Sequence, residues 1–193
     1  MKQINLLTDD DLVKLFCNGN EGAIKELIER YKEKAFTTIK LLVKDRYVAE
    51  DLFQDLFIKV IDTLRKNKYQ EEGKFSGWLM RIAHNLCMDH FRRMKTRPII
   101  KTNDDRDLMD TMSFASPAAD LEITKKQSHD IVKRMVDLLP EEQREIIILR
   151  HYADMPFKDI ANLMQCSINT ALGRMRYGLM NLRKIMKENE LAL

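Results

Sequence analysis

Apolar residues recur at spacings of three and four along most of this chain, and the pattern divides into blocks that each read as an amphipathic helix. Thr8, followed three positions later by Asp11, makes a capping box that opens a short helix, and Gly19 supplies its stop. Ala23, Leu27, Ile28, Tyr31, Ala35 and Ile39 then stripe a longer helix. From Val48 to Leu64 the stripe is broad: Leu52, Phe53, Leu56, Phe57, Val60, Ile61 and Leu64 share one side and leave Asp51, Gln54 and Asp55 together on the other. A polar stretch, 65–74, separates this helix from one built on Phe75, Trp78, Leu79, Ile82, Leu86 and Phe91.

The rhythm breaks after Arg97-Pro98. Residues 98–120 carry acids and Ser116-Pro117 without a sustained stripe, which reads as a flexible interdomain linker between a domain at 1–97 and another at 121–193. In the second domain Ile123, Ile131, Met135 and Leu138 mark a helix. Pro140 suits the first position of the next, where Glu141 and Glu142 complement its positive end, and Ile146 to Leu149 lie along it. Pro156 opens a short helix to Met164, and Ser167 caps the last long one. On that helix Ile168, Ala171, Leu172, Met175, Leu179, Leu182 and Met186 form the expected buried face, opposite Asn169, Thr170, Gly173, Arg174, Arg176 and Tyr177. The predicted fold is all-α, with two small helical domains.

Composition agrees: 193 residues, 45% hydrophobic and 33% charged, with 6 Gly and 4 Pro and no long alternating pattern, fit helical domains and disfavour a β core. The net charge of +3 is too small to define a partner, but its distribution is uneven. Lys74, Arg81, Arg92, Arg93, Lys95 and Arg97 face only Asp89 in their stretch, and residues 167–187 carry five cations and no acid. Cys17, Cys87 and Cys166 are scattered and odd in number, which argues against a disulfide framework; with no apolar segment resembling a signal peptide or membrane span, the expectation is a cytoplasmic protein without membrane insertion.

The stretch Phe157 to Arg176 reads as a helix-turn-helix, whose second helix must put its first turns against base edges while its back packs on the first helix. Asn and Thr hydrogen-bond bases or phosphates, and Arg forks onto guanine or a phosphate; the plain alternative is a helical hairpin with a solvated basic face. For Trp78, core packing and contact with an unstacked base are both open, and Arg81, Asn85 and the basic tail are better candidates for DNA contact. Asp51, Gln54 and Asp55 are either a solvated face or a docking patch for a basic surface. His84, Cys87 and His90 have helical spacing that supplies at most three ligands, so no metal or cofactor is assigned. Neither a Ser/His/Asp set nor a Gly-rich phosphate loop appears, and an enzyme is not expected.

In order and spacing, Gly19-Asn-Glu-Gly-Ala23, Glu50-Asp-Leu-Phe-Gln-Asp-Leu-Phe57, the Trp78 block, Leu139-Pro140 and the final helix pair resemble bacterial RNA polymerase sigma factors of the extracytoplasmic-function (ECF) group. The resemblance implies a region 2 that docks on core RNA polymerase through Asp51, Gln54 and Asp55. It implies that Asn67, Lys74, Trp78, Arg81 and Asn85 read and hold open the −10 element, where one base is flipped out, with Arg92 and Arg93 on the adjacent backbone. It further implies a region 4 that sets Ser167, Asn169, Thr170, Gly173, Arg174, Arg176 and Tyr177 in the −35 major groove, an acidic linker that follows the path of the RNA, and an anti-sigma partner. Gln165 stands where this family's turn often has Gly, Ala171 where Val is usual, and Leu172 and Tyr177 where polar or basic residues are common, so no promoter sequence is assigned. The competing reading is a regulator that binds duplex DNA without joining the polymerase.

Overall fold

Thr8 accepts a hydrogen bond from the Asp11 amide and donates its own hydroxyl to the Asp11 carboxylate, and this N-cap starts the first helix, α1, at Asp9–Cys17. The computed structural model describes residues 4–70, 73–96 and 132–188. After α1, Gly19 turns the chain at φ +94°, and Asn20 caps α2, Glu21–Val43. Asp45 caps the amides of Tyr47 and Val48 at the start of α3, Arg46–Arg65, and α4 follows as Phe75–Thr96. A helical stretch at 132–137, α5, leads into α6, Glu141–Ile147, which widens into a π-helical turn at Ile148–Tyr152. The last two helices are α7, Phe157–Leu163, and α8, Ile168–Glu188; no strand occurs among the described residues.

Helices α1 to α4 pack around α2. Leu12, Leu27, Ile39, Leu56, Leu64, Phe75, Leu79 and Met80 are all buried there, so the stripes read from the sequence are the ones that meet. In the second unit Ile146, Ile148, Leu149, Met155 and Ile160 are buried between α6, α7 and the early turns of α8.

Three expectations change here. Leu138 is 67% exposed, and Val136 and Leu139 are buried beside Met135 instead. Ile123, Ile131 and the linker at 98–120 lie outside the described residues. On α8, Ile168, Leu172 and Leu179 are exposed; the inward line runs through Ala171, Met175, Gly178, Leu182 and Ile185. The helix has more apolar positions than α6 and α7 cover, so periodicity alone misplaced the seam. It comes close to α6 at Gly178, where an added Cβ would stand 3.0 Å from Cδ1 of Ile147. Pro140 also sits one residue earlier than the first helical position, as an N-cap without a side-chain bond, while Pro156 opens α7 as its N-cap.

Candidate nucleic-acid interface and docking face

On α3, burying Ala49, Leu52, Leu56 and Val60 forces the opposite side outward, and Asp51, Gln54 and Asp55 are exposed on it. Tyr47 and Ile58, 80% and 64% exposed, sit four residues before Asp51 and four after Gln54 on that same side. Sequence reasoning passed over these two. Their signal was an aromatic and a β-branched residue placed off the apolar stripe, a combination that marks an interaction surface when polar groups rim it.

The loop after α3 is held by its backbone. Asn67 turns at φ +51° and its amide bonds to Leu64 O at 3.0 Å, while the Gly73 amide donates to Asp10 Oδ1 at 2.9 Å, so α1 anchors the end of the loop. Tyr69 lies 4.8 Å, centroid to centroid, from Trp78 in an edge-to-face arrangement, and Phe75 lies 5.7 Å from Trp78. Trp78 is therefore half-buried and packed in an aromatic cluster. Asn67 and Tyr69 also line a recess of about 240 Å³ with Asp10, Lys14 and Asn18.

Lys74, Asn85, Arg92 and Arg93 are exposed around α4, and Arg81 is half-buried on it. Arg92 pairs with the Asp89 carboxylate, and Arg93 donates to the Asp89 backbone carbonyl at 3.4 Å. His84 does not meet His90 as a ligand set. It is 3% exposed and its Nε2 lies 2.5 Å from Glu145 Oε1 on α6, while burial pushes the Cys87 thiol up to about 12. No cluster suited to a metal occurs among the described residues.

Ser167 accepts from the Thr170 amide at 3.0 Å and caps α8. Gln165, just before it, adopts φ +52°, the left-handed turn in which glycine is usual, and a glutamine here bears that strain. Asn169, Thr170, Arg176 and Tyr177 are exposed on the first turns of α8, and an added Cβ at Gly173 would meet nothing within 4 Å. Thr170, Gly173, Arg174 and Tyr177 face Pro140 to Gln143 across a groove of about 410 Å³. Arg174 is not a free probe within it: its guanidinium bonds Glu142 Oε1 at 2.6 Å. Thus the −10 candidates gather on α4 and the loop before it, the −35 candidates on α8, and the docking candidates on α3. Asn85, Arg92 and Arg93 on α4 and Asp51, Gln54 and Asp55 on α3 remain exposed together.

Comparison with known proteins matches these units in the same order. The family model of Sigma-70 region 2 matches residues 27–97, and that of Sigma-70 region 4 matches 129–175. The ECF RNA polymerase sigma-E factor of Escherichia coli is 29% identical over 175 residues, covering 87% of this chain and 88% of that one. RNA polymerase sigma-H factor of Pseudomonas aeruginosa is 28% identical over 173 residues, with 86% and 87% covered. Among solved structures, CnrH in complex with the cytosolic domain of CnrY superposes with a TM-score of 0.64 at 18% identity, covering 93% of this chain and 97% of that one. The sigma factor RpoE in complex with the anti-sigma factor NepR from Bartonella quintana gives 0.65 at 20%, with 85% and 96% covered. These two likenesses concern the fold. With both regions matched in order and sigma factors aligned along most of its length, the chain belongs to the ECF group of the sigma-70 family.

Proposed function

We propose that this sigma factor docks on core RNA polymerase through α3 and directs promoter-specific initiation by reading a −10 element with α4 and its preceding loop and a −35 element with α8. The carrying observation is the separation of surfaces: Asp51, Gln54 and Asp55 stand exposed on one helix, apart from the basic and polar groups of α4 and α8. A protein that only bound duplex DNA has no use for an acidic face flanked by exposed Tyr47 and Ile58. The acids supply complementarity to a basic partner, and Tyr47 and Ile58 supply apolar contact at its edges.

At the −10 element, opening the duplex costs a few kcal/mol for each unstacked base, so the site needs a base-sized recess and cations for the strand. The recess beside Asn67 and Tyr69 receives the flipped base, Trp78 lends an aromatic edge, and Lys74, Arg81, Asn85, Arg92 and Arg93 hold the strand. At the −35 element Asn169, Thr170 and Arg174 address base edges, while Ser167, Gly173, Arg176 and Tyr177 lie along the groove wall and backbone. The protein acts by binding and positioning and is not itself an enzyme. Its domains are region 2 at 1–97 and region 4 at 121–193, joined by 98–120. It works with the polymerase in the cytoplasm and is held in check by an anti-sigma partner; no helix among the described residues is long and apolar enough to cross a membrane.

The test is binding of the purified chain to core polymerase. A stoichiometric complex that Asp51→Arg with Gln54→Arg abolishes, with helicity unchanged, is the expected result; an undiminished complex removes the docking assignment.

A further inference from the structure

The first turns of α8 carry two apolar side chains that the fold does not use. Ala171, Met175 and Gly178 turn toward α6 and α7, which leaves Leu172 44% exposed and Ile168, one turn before it on the same side, 47% exposed. A single bare apolar residue is ordinary on a surface, but these two adjoin each other where a recognition helix meets base edges.

The face around them is polar and cationic. Asn169, Arg176 and Arg183 recur at intervals of seven residues, nearly two turns, and so lie in one exposed line beside Leu172. Residues 167–187 carry five cations and no acid. Next to Leu172, an added Cβ at Gly173 would meet nothing within 4 Å, so the backbone there is open to close approach. Arg174 is tied back to Glu142 at 2.6 Å, which draws one guanidinium toward α6 and leaves Leu172 prominent among the forward groups.

A ligand suited to this face is anionic along its flanks and apolar at a point on its floor. In the major groove thymine alone presents an apolar group, its C5-methyl; the other bases offer donors and acceptors. A helix about 10 to 12 Å across fills a groove about 12 Å wide, and the phosphates of both walls then meet the cations. Over a G·C pair, Leu172 would instead cover a cytosine amino group and leave it without a partner, which is unfavourable. Asn169 points the same way, since a carboxamide pairs bidentately with adenine. Three residues of helix advance about 4.5 Å, close to the roughly 3.4 Å of one base step, so Asn169 and Leu172 meet neighbouring pairs. A protein partner would explain Ile168 and Leu172 but would leave the line of Asn169, Arg176 and Arg183 without a use.

We infer that Leu172, with Ile168 beside it, is a specificity-determining residue that reads the C5-methyl group of a thymine in the −35 element. The element this chain recognises therefore contains an A·T pair whose thymine faces the Ile168–Leu172 edge of α8. This rests on the −35 reading of α8 given above and names the class of sequence that it takes.

The experiment uses core polymerase carrying the full-length chain to enrich duplexes randomised across the −35 element. Each thymine of the enriched element is then replaced in turn by deoxyuridine, which exchanges the C5-methyl for hydrogen and alters no hydrogen-bonding group. At one or two of these thymines uracil should weaken binding roughly three- to fivefold, the effect of one methyl-sized group, and a G·C pair should weaken it more than about tenfold. Leu172→Ala should bind the thymine duplex about as weakly as the wild type binds the uracil duplex, and should no longer distinguish the two. The uracil series needs no variant, so it stands whatever Leu172→Ala does to folding. Uracil tolerated at every −35 thymine, an enriched element without thymine, or a folded Leu172→Ala that keeps the full thymine preference overturns the inference and leaves the apolar pair to a protein partner. With −35 preference otherwise intact, those results spare the −35 reading; a wild type with no −35 preference at all strikes that reading and this inference together.

Discussion

Region 2 and region 4 solve the burial of a long helix differently. In α3 the apolar stripe is consumed inside the domain: Ala49, Leu52, Leu56, Phe57, Val60 and Leu64 are buried, and what faces outward is mostly polar. In α8 only Ala171 and Gly178 of 21 residues are buried, and Ile168, Leu172, Leu179 and Met180 are between 38% and 51% exposed. Region 2 is thus a finished scaffold that presents a docking face and a strand-holding helix. Region 4 is a short clamp on a helix whose far turns are only partly covered, through Leu182 and Ile185, which makes it the less self-sufficient of the two.

The comparison breaks most visibly at the docking face. Reversing charge with Asp51→Arg and Gln54→Arg should weaken polymerase binding by several kcal/mol, more than about 100-fold, because like charges then meet, while urea denaturation of the free chain stays unchanged. Next in size is the contrast of cores. Leu56→Ala, at a fully buried site, should destabilise the chain by about 2 to 5 kcal/mol, whereas Leu179→Ala should cost less than about 1 kcal/mol by the same urea titration. Equal losses would erase the distinction between the regions.

On the −35 surface, Arg174→Ala should lose about 1 to 3 kcal/mol of promoter affinity where that side chain reads a base, with little change in stability because Glu142 is exposed. A null result across several −35 sequences would mean that the Glu142 pair is all Arg174 does. The smallest effect is at the seam between the regions. The hydrogen bond from Lys34, with its charge, holds the Asp154 carboxyl below the usual carboxylate range. A depressed folded value stabilises the folded chain above the ordinary carboxylate pKa of about 4, and that stability is lost as pH falls through the folded value. Comparing wild type with Asp154→Asn by denaturation between pH 5 and pH 3 should show a slightly steeper acid loss in the wild type, and parallel curves would dismiss the contribution.

The helices were legible in the sequence wherever one face of the stripe had a single partner. Thr8 and Ser167 cap helices through bonds that their residue types predict, and the α3 stripe is the one the structure buries; the caps at Asn20 and Asp45 went unread. Legibility failed on α8, where Ile168, Leu172 and Leu179 compete with Ala171 and Gly178 for the seam and the small residues win because they allow α6 to approach. It failed again at His84. Its spacing with Cys87 and His90 drew attention along one helix, whereas its partner is Glu145, 61 residues away, and periodicity carries no information at that range. The site residues themselves were readable as types on faces, but the Arg174–Glu142 and Arg92–Asp89 pairs that orient them were not, since each depends on how two side chains turn.

Run-off transcription tests the central claim most directly: core RNA polymerase with and without this chain, on a pool of upstream genomic fragments, with transcript ends sequenced. The account predicts discrete new transcripts that need the chain, share elements near −10 and −35, and vanish with Asp51→Arg and Gln54→Arg. Duplex DNA binding by the folded chain with no new transcript would contradict it and favour a regulator that never joins the polymerase.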